Sequence, residues 1–239
     1  MGYILVTGST KGLGLEIAKI LSYAGFSVIV TGRDEVALSE AKKILNDKVE
    51  HKFVKIDFQN DDELDNFLSN LENIDSVIHN VGAKLDRDKH PIDIDILNKS
   101  INLNFSLSVK INNALVDTSS SNLSKIIYIG STASLHAKAS PCYVLSKSLI
   151  DTYVKNISGF YADKGILICG VQAGIVAHAG SDWDRKKKSE PERYNHVKSQ
   201  QPLKRFLMPI DIAEYVLLLM RVNSLALTGS MIKLDANDY

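Results

Sequence analysis

The 239-residue sequence contains only two cysteines, Cys142 and Cys169, and has no excess of charge of either sign. Two cysteines in a chain of this length do not make a disulfide framework or a metal site, which favours a reduced, cytoplasmic protein. The 28 basic residues are balanced by 28 acidic residues. Nucleic-acid binding needs a net or clustered positive field, so the composition does not support it.

Targeting and membrane-spanning segments are also missing from the sequence. No basic segment precedes the apolar run at Ile4-Leu5-Val6, so the start does not resemble a signal peptide. No apolar stretch approaches the roughly 20 residues that cross a bilayer. Neither repeats nor linkers are visible, and hydrophobic residues make up 45% of the chain, enough for one sizeable core. We therefore expect a soluble protein with one domain over residues 1–239.

Short apolar runs alternate along the chain with segments of helical periodicity. The predicted strands are Tyr3–Thr7, Ser27–Thr31, Phe53–Ile56, Val77–His79, Lys125–Gly130, Ile166–Val171 and Ser230–Leu234. The predicted helices are Lys11–Ala24, Val36–Leu45, Asp61–Leu71, Asp95–Val116, Tyr143–Tyr161 and Ile210–Met220. Continuously apolar strands are typical of sheets buried on both faces. The alternation predicts an α/β fold, a doubly wound domain with a parallel sheet of about seven strands flanked by helices.

A glycine-rich loop, Thr-Gly-Ser-Thr-Lys-Gly-Leu-Gly at residues 7–14, lies between the first predicted strand and the first predicted helix. Glycines let the backbone turn tightly and approach a pyrophosphate, and a helix N-terminus adds N–H donors and partial positive charge. The alternative is a plain turn with helix-packing glycines, but the strand–loop–helix context is the one a dinucleotide site requires. The expected cofactor contacts in this loop are Gly8, Ser9, Thr10, Lys11, Gly12, Leu13 and Gly14.

Tyr143 and Lys147 lie four residues apart in a predicted helix and therefore share one face. A phenol has a pKa of about 10 unaided, and a nearby ammonium lowers it. Tuned in this way, Tyr143 can exchange a proton with a carbonyl or alcohol oxygen. The pair by itself occurs on many helices and is structural more often than not.

The loop spacing Gly-x-x-x-Gly-x-Gly together with Tyr-x-x-x-Lys resembles the short-chain dehydrogenase/reductase family, over nearly the whole chain. The resemblance implies a Rossmann-type oxidoreductase that moves a hydride between a nicotinamide and a carbonyl or secondary alcohol. It implies that Tyr143 is the acid/base and that Lys147 tunes it and holds the nicotinamide ribose. Ser131 would orient the substrate oxygen, with Thr132 as a second candidate.

Asn102 matches the helix asparagine that anchors a water in the proton relay of this family. The alternative is that Asn102 simply faces solvent, as a mid-helix asparagine commonly does. Asn104 follows two residues later and would face elsewhere on a regular helix. The predicted catalytic set is therefore Asn102, Ser131, Tyr143 and Lys147.

The cofactor is expected to be NADP(H). An NAD site usually carries a carboxylate at the end of the second strand, where this chain has Gly32. Arg33 follows and suits bidentate phosphate binding, and Lys11 lies in the loop. The alternative is that both cations are simply exposed charges. By resemblance, further cofactor contacts are expected from Asp57, Asn80, Gly82, Tyr143, Lys147, Gly174, Val176 and His178.

The segment after the sixth strand departs most from the family. Cys169 and Ala173 replace a common asparagine and proline, and His178 aligns with a threonine that bonds the nicotinamide carboxamide. His178 could serve that role, contact substrate or be a loop residue. Residues 178–205 are expected to form the substrate lid, in which Trp183 stacks on substrate or packs the lid closed.

The lid is rich in Lys and Arg, which would favour an anionic substrate such as a phosphopantetheine-linked acyl group or an acidic or nucleotide-linked sugar. The alternative is a solvated, mobile lid. We expect 3-oxoacyl or sugar-type carbonyl substrates, and neither a metal, a membrane nor a nucleic acid as partner. A non-enzymatic NADP(H)-binding sensor or scaffold is the other hypothesis. The resemblance also implies a homodimer or homotetramer that pairs through the long helices.

Overall fold

The computed structural model describes residues 2–116 and 122–237. Its strands form one seven-stranded parallel sheet in the order β3-β2-β1-β4-β5-β6-β7, as the apolar runs predicted. The strands are β1 Tyr3–Val6, β2 Val28–Gly32, β3 Lys52–Lys55, β4 Ile74–His79, β5 Lys125–Ser131, β6 Leu167–Ala173 and β7 Met231–Leu234. The single domain over 1–239 stays a prediction, and its terminal positions 1, 238 and 239 lie outside the described residues.

Helices connect these strands and cover both faces of the sheet. They are α1 Gly12–Tyr23, α2 Glu35–Ile44, α3 Asp61–Ser69, α4 Ile94–Ile101, α5 Leu107–Val116, α6 Ala133–His136, α7 Pro141–Ala162, α8 Asp182–Ser189, α9 Pro191–Gln200 and α10 Pro209–Arg221. None of the helices within residues 2–116 and 122–237 is long and apolar enough to cross a membrane.

The hydrophobic core consists of two layers, one on each face of the sheet. In β1, Ile4 and Val6 point into the layer that α1, α2 and α10 cover. Tyr3 and Leu5 point into the opposite layer, under α3, α5 and α7. Because successive side chains of a strand face opposite sides, both sets must be apolar. This is why the strands read as continuous hydrophobic runs.

The strand order reverses between β1 and β4, whose carboxyl ends are neighbours. Ligands of open α/β sheets bind in the crevice at such a switch point. The glycine loop follows β1 and Asn80 follows β4 at this crevice. Ser131 ends β5 and is in register with Ala173 of β6, which is in register with Leu234 of β7. The fold therefore gathers the predicted site segments along one edge of the sheet.

Two predicted segments differ from the structure in their helical geometry. The predicted helix Asp95–Val116 is interrupted by a π-helical turn, Asn102–Ser106. Asn104 lies in this turn, and its side-chain amide donates to Ser100 O of α4 at 3.0 Å. A side chain therefore competes for a helical carbonyl group. The charged lid forms two helices, α8 and α9. Pro191 separates them, because a proline is accommodated in the first turn of a helix but not in its interior.

A buried polar chain links β4, α5 and β5. His79 Nε2 lies 2.7 Å from Asn112 Oδ1, and Asn112 Nδ2 donates to Tyr128 Oη at 2.8 Å. In this arrangement the neutral imidazole donates its Nε2–H to the amide oxygen. Burial lowers the pKa of His79 to about 4, against the smaller opposing effect of its bond to Asn112. The ring is therefore neutral at pH 7.

The buried hydrogen bonds of His79, Asn112 and Tyr128 predict that the protein loses stability in acid. His79 titrates near pH 6.5 in an unfolded chain but near 4 when folded, so between these values the unfolded state binds the proton. The free energy of unfolding should therefore fall by up to about 3 kcal/mol from this site as the pH drops from 6.5 to 4. Urea unfolding at pH 7 and pH 4.5 measures the loss of unfolding free energy between these two pH values. We expect this loss to be smaller in His79→Asn, because the variant lacks the contribution of the imidazole. The exposed His196→Asn is the control and should lose as much stability as the unsubstituted chain. An equal loss in His79→Asn would contradict the assignment.

Candidate active site

Three predicted catalytic side chains meet where β5 ends and α7 begins. Ser131 is the last residue of β5, and Tyr143 and Lys147 lie in the first two turns of α7. The Ser131 hydroxyl lies near enough to the Tyr143 phenol to lower its pKa. Lys147 Nζ lies 5.9 Å from the centre of the Tyr143 ring and donates to Ile129 O at 3.0 Å. A hydroxyl, a phenol and an amine therefore converge at the carboxyl edge of the sheet.

The protonation of this cluster is governed first by burial. Burial raises the pKa of Tyr143, and the nearby Ser131 hydroxyl opposes this shift. Burial lowers the pKa of Lys147 to about 8, and the charge of Asp151 opposes it. The Tyr143 pKa is therefore raised and not lowered as predicted, because the effect of burial exceeds that of the groups that favour the phenolate. At neutral pH the phenol keeps its proton and is able to donate it.

The structure brings Asn104, not Asn102, to this cluster. Asn102 is exposed at the start of the π-helical turn, whereas Asn104 is buried. A Cβ added at Gly82 would lie 2.7 Å from Asn104 Oδ1 and 3.0 Å from Lys147 Nζ. The predicted catalytic asparagine, Asn102, is therefore corrected to Asn104, since the irregular turn changes which residue faces inward.

Asn104 is held by bonds at both ends of its amide group. Oδ1 accepts from Ala83 N at 2.9 Å, and Nδ2 donates to Ser100 O at 3.0 Å. It thereby joins the π-helical turn to the segment that follows β4. A buried amide that is satisfied in this way has a fixed orientation.

Asp151 lies behind the cluster, one helical turn after Lys147, and the sequence patterns did not single it out. Asp151 Oδ2 accepts from Gln172 Nε2 at 2.7 Å and from the Ser134 hydroxyl. Its other oxygen is buried and has no hydrogen-bond partner among the described residues. The four-residue spacing from Lys147 was the one signal that the sequence offered for it. Asp151 connects α7 to β6 through Gln172 and to α6 through Ser134.

The glycine loop has the backbone geometry of an open phosphate cradle. Gly8 and Gly12 have φ of 64° and 57°, where side chains are disfavoured. A Cβ on Gly14 would overlap Gly8 O, so the loop packs against its own helix. The first turn of α1 contains no acidic residue, and Lys11 at its N-cap makes no side-chain capping bond. The N–H groups there are directed at no capping side chain and suit a dinucleotide phosphate.

The side chains of Thr10 and Leu13 and the backbone of the glycine loop are held by contacts within the protein. Thr10 lies against Gly32, where an added Cβ would overlap the threonine side chain. The half-buried Leu13 side chain packs against the core. Asn80 Nδ2 fixes the loop by donating to Thr7 O and Gly8 O at 3.1 and 3.0 Å.

Ser9 faces away from the cradle. It is fully buried. Its hydroxyl donates to Val6 O at 2.7 Å and accepts from Thr31 N, and its own N–H donates to Thr31 O. Both of its donors are therefore used within the sheet, and we remove Ser9 from the predicted cofactor contacts.

The two predicted phosphate-binding cations lie at the rim of the cradle. Lys11 and Arg33 are both exposed. Arg33 Nη1 is 3.8 Å from Asp57 Oδ2, at the carboxyl end of β3. An exposed pair at this distance contributes little, so Arg33 is available to an anionic ligand. Asp57 also closes the following turn by accepting from Gln59 N at 3.1 Å.

His178 lies over the glycine loop from the lid side. A Cβ at Gly12 would overlap its imidazole ring, and His178 N donates to Ser181 Oγ at 3.2 Å at the start of α8. Val176 forms a parallel bridge with Leu207, and Gly174 N donates to Leu234 O at 2.9 Å. The structure therefore places His178 beside the loop, between the cradle and the lid, and fixes Gly174 and Val176 in the backbone below.

Trp183 packs within the lid. Its ring centre lies 4.7 Å from that of Phe206, and Tyr194 lies 5.2 Å from Phe206. Lys186 Nζ lies 4.7 Å from the Trp183 ring centre and 2.6 Å from Asp182 Oδ2. Of the two hypotheses for Trp183, the structure favours packing the lid closed. Part of the basic charge of the lid is paired within the lid itself.

Comparisons with known proteins agree with this geometry. The family model described as short chain dehydrogenase matches residues 2–190. A 3-oxoacyl-acyl-carrier-protein reductase, FabG, of Rickettsia prowazekii is 24% identical over 233 residues, covering 97% of this chain and 94% of the relative. Among solved structures, L-sorbose reductase from Gluconobacter frateurii, complexed with NADPH and L-sorbose, has a TM-score of 0.87 at 19% identity, covering 99% and 96%. The 3-oxoacyl-acyl-carrier-protein reductase from Brucella melitensis, in complex with NAD, has a TM-score of 0.81 at 23% identity, covering 98% and 96%.

The two asparagines make different predictions for stability. Replacing Asn104 by Ala removes a buried amide and leaves Ala83 N–H and Ser100 O without that partner, which should lower the free energy of unfolding by about 2 kcal/mol. The matched change Asn102→Ala alters an exposed side chain and should stay within about 0.5 kcal/mol. Urea unfolding of the two variants measures both values. A larger loss for Asn102→Ala would show that the inward-facing residue has been misassigned.

Proposed function

The chain belongs to the short-chain dehydrogenase family, and from this premise we propose that it is an NADP(H)-dependent oxidoreductase of carbonyl and secondary alcohol groups. The observation that carries the proposal is the convergence of Ser131, Tyr143 and Lys147 beside the glycine cradle. The crevice between β1 and β4 lies next to the end of β5, so a bound dinucleotide and a substrate would meet at these side chains. A bound nicotinamide cofactor would supply or accept the hydride at the substrate carbon.

Tyr143 is the proposed proton donor in the reductive direction. Its raised pKa keeps the phenol protonated at neutral pH, so Oη can give its proton to the carbonyl oxygen as negative charge develops there. Ser131 lies beside the phenol and would donate to the same substrate oxygen, which stabilises that charge. Thr132 remains a second candidate for this bond.

Lys147 and Asn104 are the proposed supports of Tyr143. The pKa of Lys147, about 8, leaves the amine largely protonated at neutral pH. Its positive charge beside the phenol ring favours the phenolate that forms once the proton has left. We assign to Asn104 the relay position expected for Asn102, since Asn104 Oδ1 and Lys147 Nζ both lie against Gly82. By family resemblance, Lys147 also holds the nicotinamide ribose.

Preference for NADP(H) over NAD(H) is supported by the end of β2. The contact of Thr10 with Gly32 leaves no room there for the carboxylate that holds a ribose hydroxyl in NAD sites. Arg33 and Lys11 are exposed at the rim, where a 2′-phosphate would lie. Of the two solved structures described above, one is named with NADPH and the other with NAD, so the proposed preference rests on the residues of this chain.

We propose a 3-oxoacyl thioester or a sugar-type ketone as the substrate class, in line with the names of the relatives above.

Exposed apolar side chains along α7, at Leu145, Leu149 and Phe160, support pairing of two copies through this helix. A non-enzymatic role finds no support in the site, because Cys169 and Ala173 are buried in β6 and replace no catalytic group. The cytoplasmic location stays a prediction.

The catalytic assignment is tested by Tyr143→Phe. The purified chain should consume NADPH with at least one member of a panel of 3-oxoacyl thioesters and ketoses. Loss of the phenolic proton should lower kcat by about 100-fold or more. The control Tyr215→Phe changes an exposed tyrosine of α10 and should leave kcat unchanged. Full activity of Tyr143→Phe would exclude the mechanism, and no turnover by the unsubstituted chain with any panel member would count against the function.

The cofactor preference is tested at Arg33. Arg33→Ala should raise the KM for NADPH by about 10-fold or more, because a charge-assisted bond to phosphate contributes about 1.5–3 kcal/mol. The KM for NADH should change little, since that cofactor lacks the phosphate. Arg221→Ala, an exposed arginine at the end of α10, is the control. Equal changes for both cofactors would refute the role of Arg33.

A further inference from the structure

The N-terminus of α7, the helix that carries Tyr143, is not capped by its own sequence. Ser140 occupies the N-cap position but makes no side-chain capping bond, and Pro141 at the first helical position has no N–H group. The next two N–H groups, of Cys142 and Tyr143, have no partner within the helix. They lie in a buried region, where an unpaired N–H group is unfavourable.

Asp88 supplies both missing partners from a distant part of the chain. Cys142 N donates to Asp88 Oδ1 at 2.9 Å, and Tyr143 N donates to Asp88 Oδ2 at 3.0 Å. Burial raises the pKa of the Cys142 thiol, and the nearby Asp88 carboxyl group raises it further. Asp88 is 7% exposed. A buried carboxylate at the N-terminus of a 22-residue helix also complements the positive end of the helix dipole.

The segment that contains Asp88 begins at the cofactor cradle. Asn80 binds the glycine loop through Thr7 O and Gly8 O, and Ala83 binds both ends of the Asn104 amide. Asp88 then binds the first turn of α7. Residues 80–88 therefore connect the cradle, the relay asparagine and the helix end that presents Tyr143.

We propose that Asp88 is a positioning residue that fixes the Tyr143 end of α7 against the segment following β4. The inference rests on the proposed role of Tyr143, because Asp88 acts only through the placement of that phenol. Without the carboxylate, the first turn of α7 loses its anchor. Tyr143 Oη is then no longer held at a constant position relative to Ser131 and the cradle, and a displacement of this kind is costly in a proton transfer.

The test compares Asp88→Asn with Asp86→Asn, an exposed carboxylate of the same segment. An asparagine at 88 has one acceptor oxygen and turns an NH₂ group towards the other N–H donor. We expect kcat to fall by about 10- to 100-fold, while the KM for NADPH and binding of NADPH by fluorescence stay near their original values. Amide hydrogen exchange, read by NMR, should become faster at Cys142 and Tyr143. Asp86→Asn should change none of these.

The outcomes separate the proposal from the proposed function. Unchanged exchange at Cys142 and Tyr143 in Asp88→Asn overturns the positioning role, even if the unsubstituted chain shows no turnover. Reduced turnover with unchanged exchange overturns it as well, because the effect would then not pass through the helix end. If Asp88→Asn does not fold, Asp88→Glu keeps the charge and moves it by one methylene group. The same faster exchange and lower kcat, with unchanged NADPH binding, are then expected, and values like those of the unsubstituted chain would overturn the proposal.

Discussion

Burial of the parallel sheet on both faces is the constraint on which the rest of the structure depends. Two apolar layers enclose the strands, and only the strand ends reach positions where polar side chains can meet a ligand. The reversal of strand order between β1 and β4 then leaves one crevice at the carboxyl edge. The glycine loop follows β1, Asn80 follows β4 and Ser131 ends β5 at this edge. The site is thus a consequence of the topology before any catalytic residue is considered.

Polar groups that enter the buried region near this edge are held by specific bonds. Lys147 donates to Ile129 O, Asn104 is bonded to Ala83 and Ser100, and Asp88 accepts from the first turn of α7. A buried polar group is unfavourable unless it is paired, so each of these bonds also fixes an orientation. The same burial that lowers the Lys147 pKa keeps the Tyr143 phenol protonated. Positioning and proton chemistry therefore have one physical origin.

The strands, the glycine loop and the Tyr143–Lys147 spacing were predictable because each is a local pattern with a direct geometric meaning. Asn104 was not, because choosing between two asparagines two residues apart requires the helical register, and the π-helical turn changes it. Ser9 was placed in the cradle because a loop sequence does not reveal which side chain turns into the sheet. The direction of the Tyr143 pKa depends on burial and on where the Lys147 amine is directed, and neither is a sequence property. Asp88 binds residues more than fifty positions away, so no local pattern could indicate it.

The residues in and after β6 that differ from the family pattern have different roles in the structure. Cys169 and Ala173 lie inside β6 and are buried, so they affect packing and not the reacting groups. His178 is different, because its imidazole lies directly on Gly12 while its backbone bonds Ser181 at the start of α8. Any group that enters the cradle at Gly12 must displace or bond this ring, and the ring is joined through a few residues to the lid. The residue that differs from the family pattern therefore stands at the junction between cofactor loop and lid, where a change in side chain affects both.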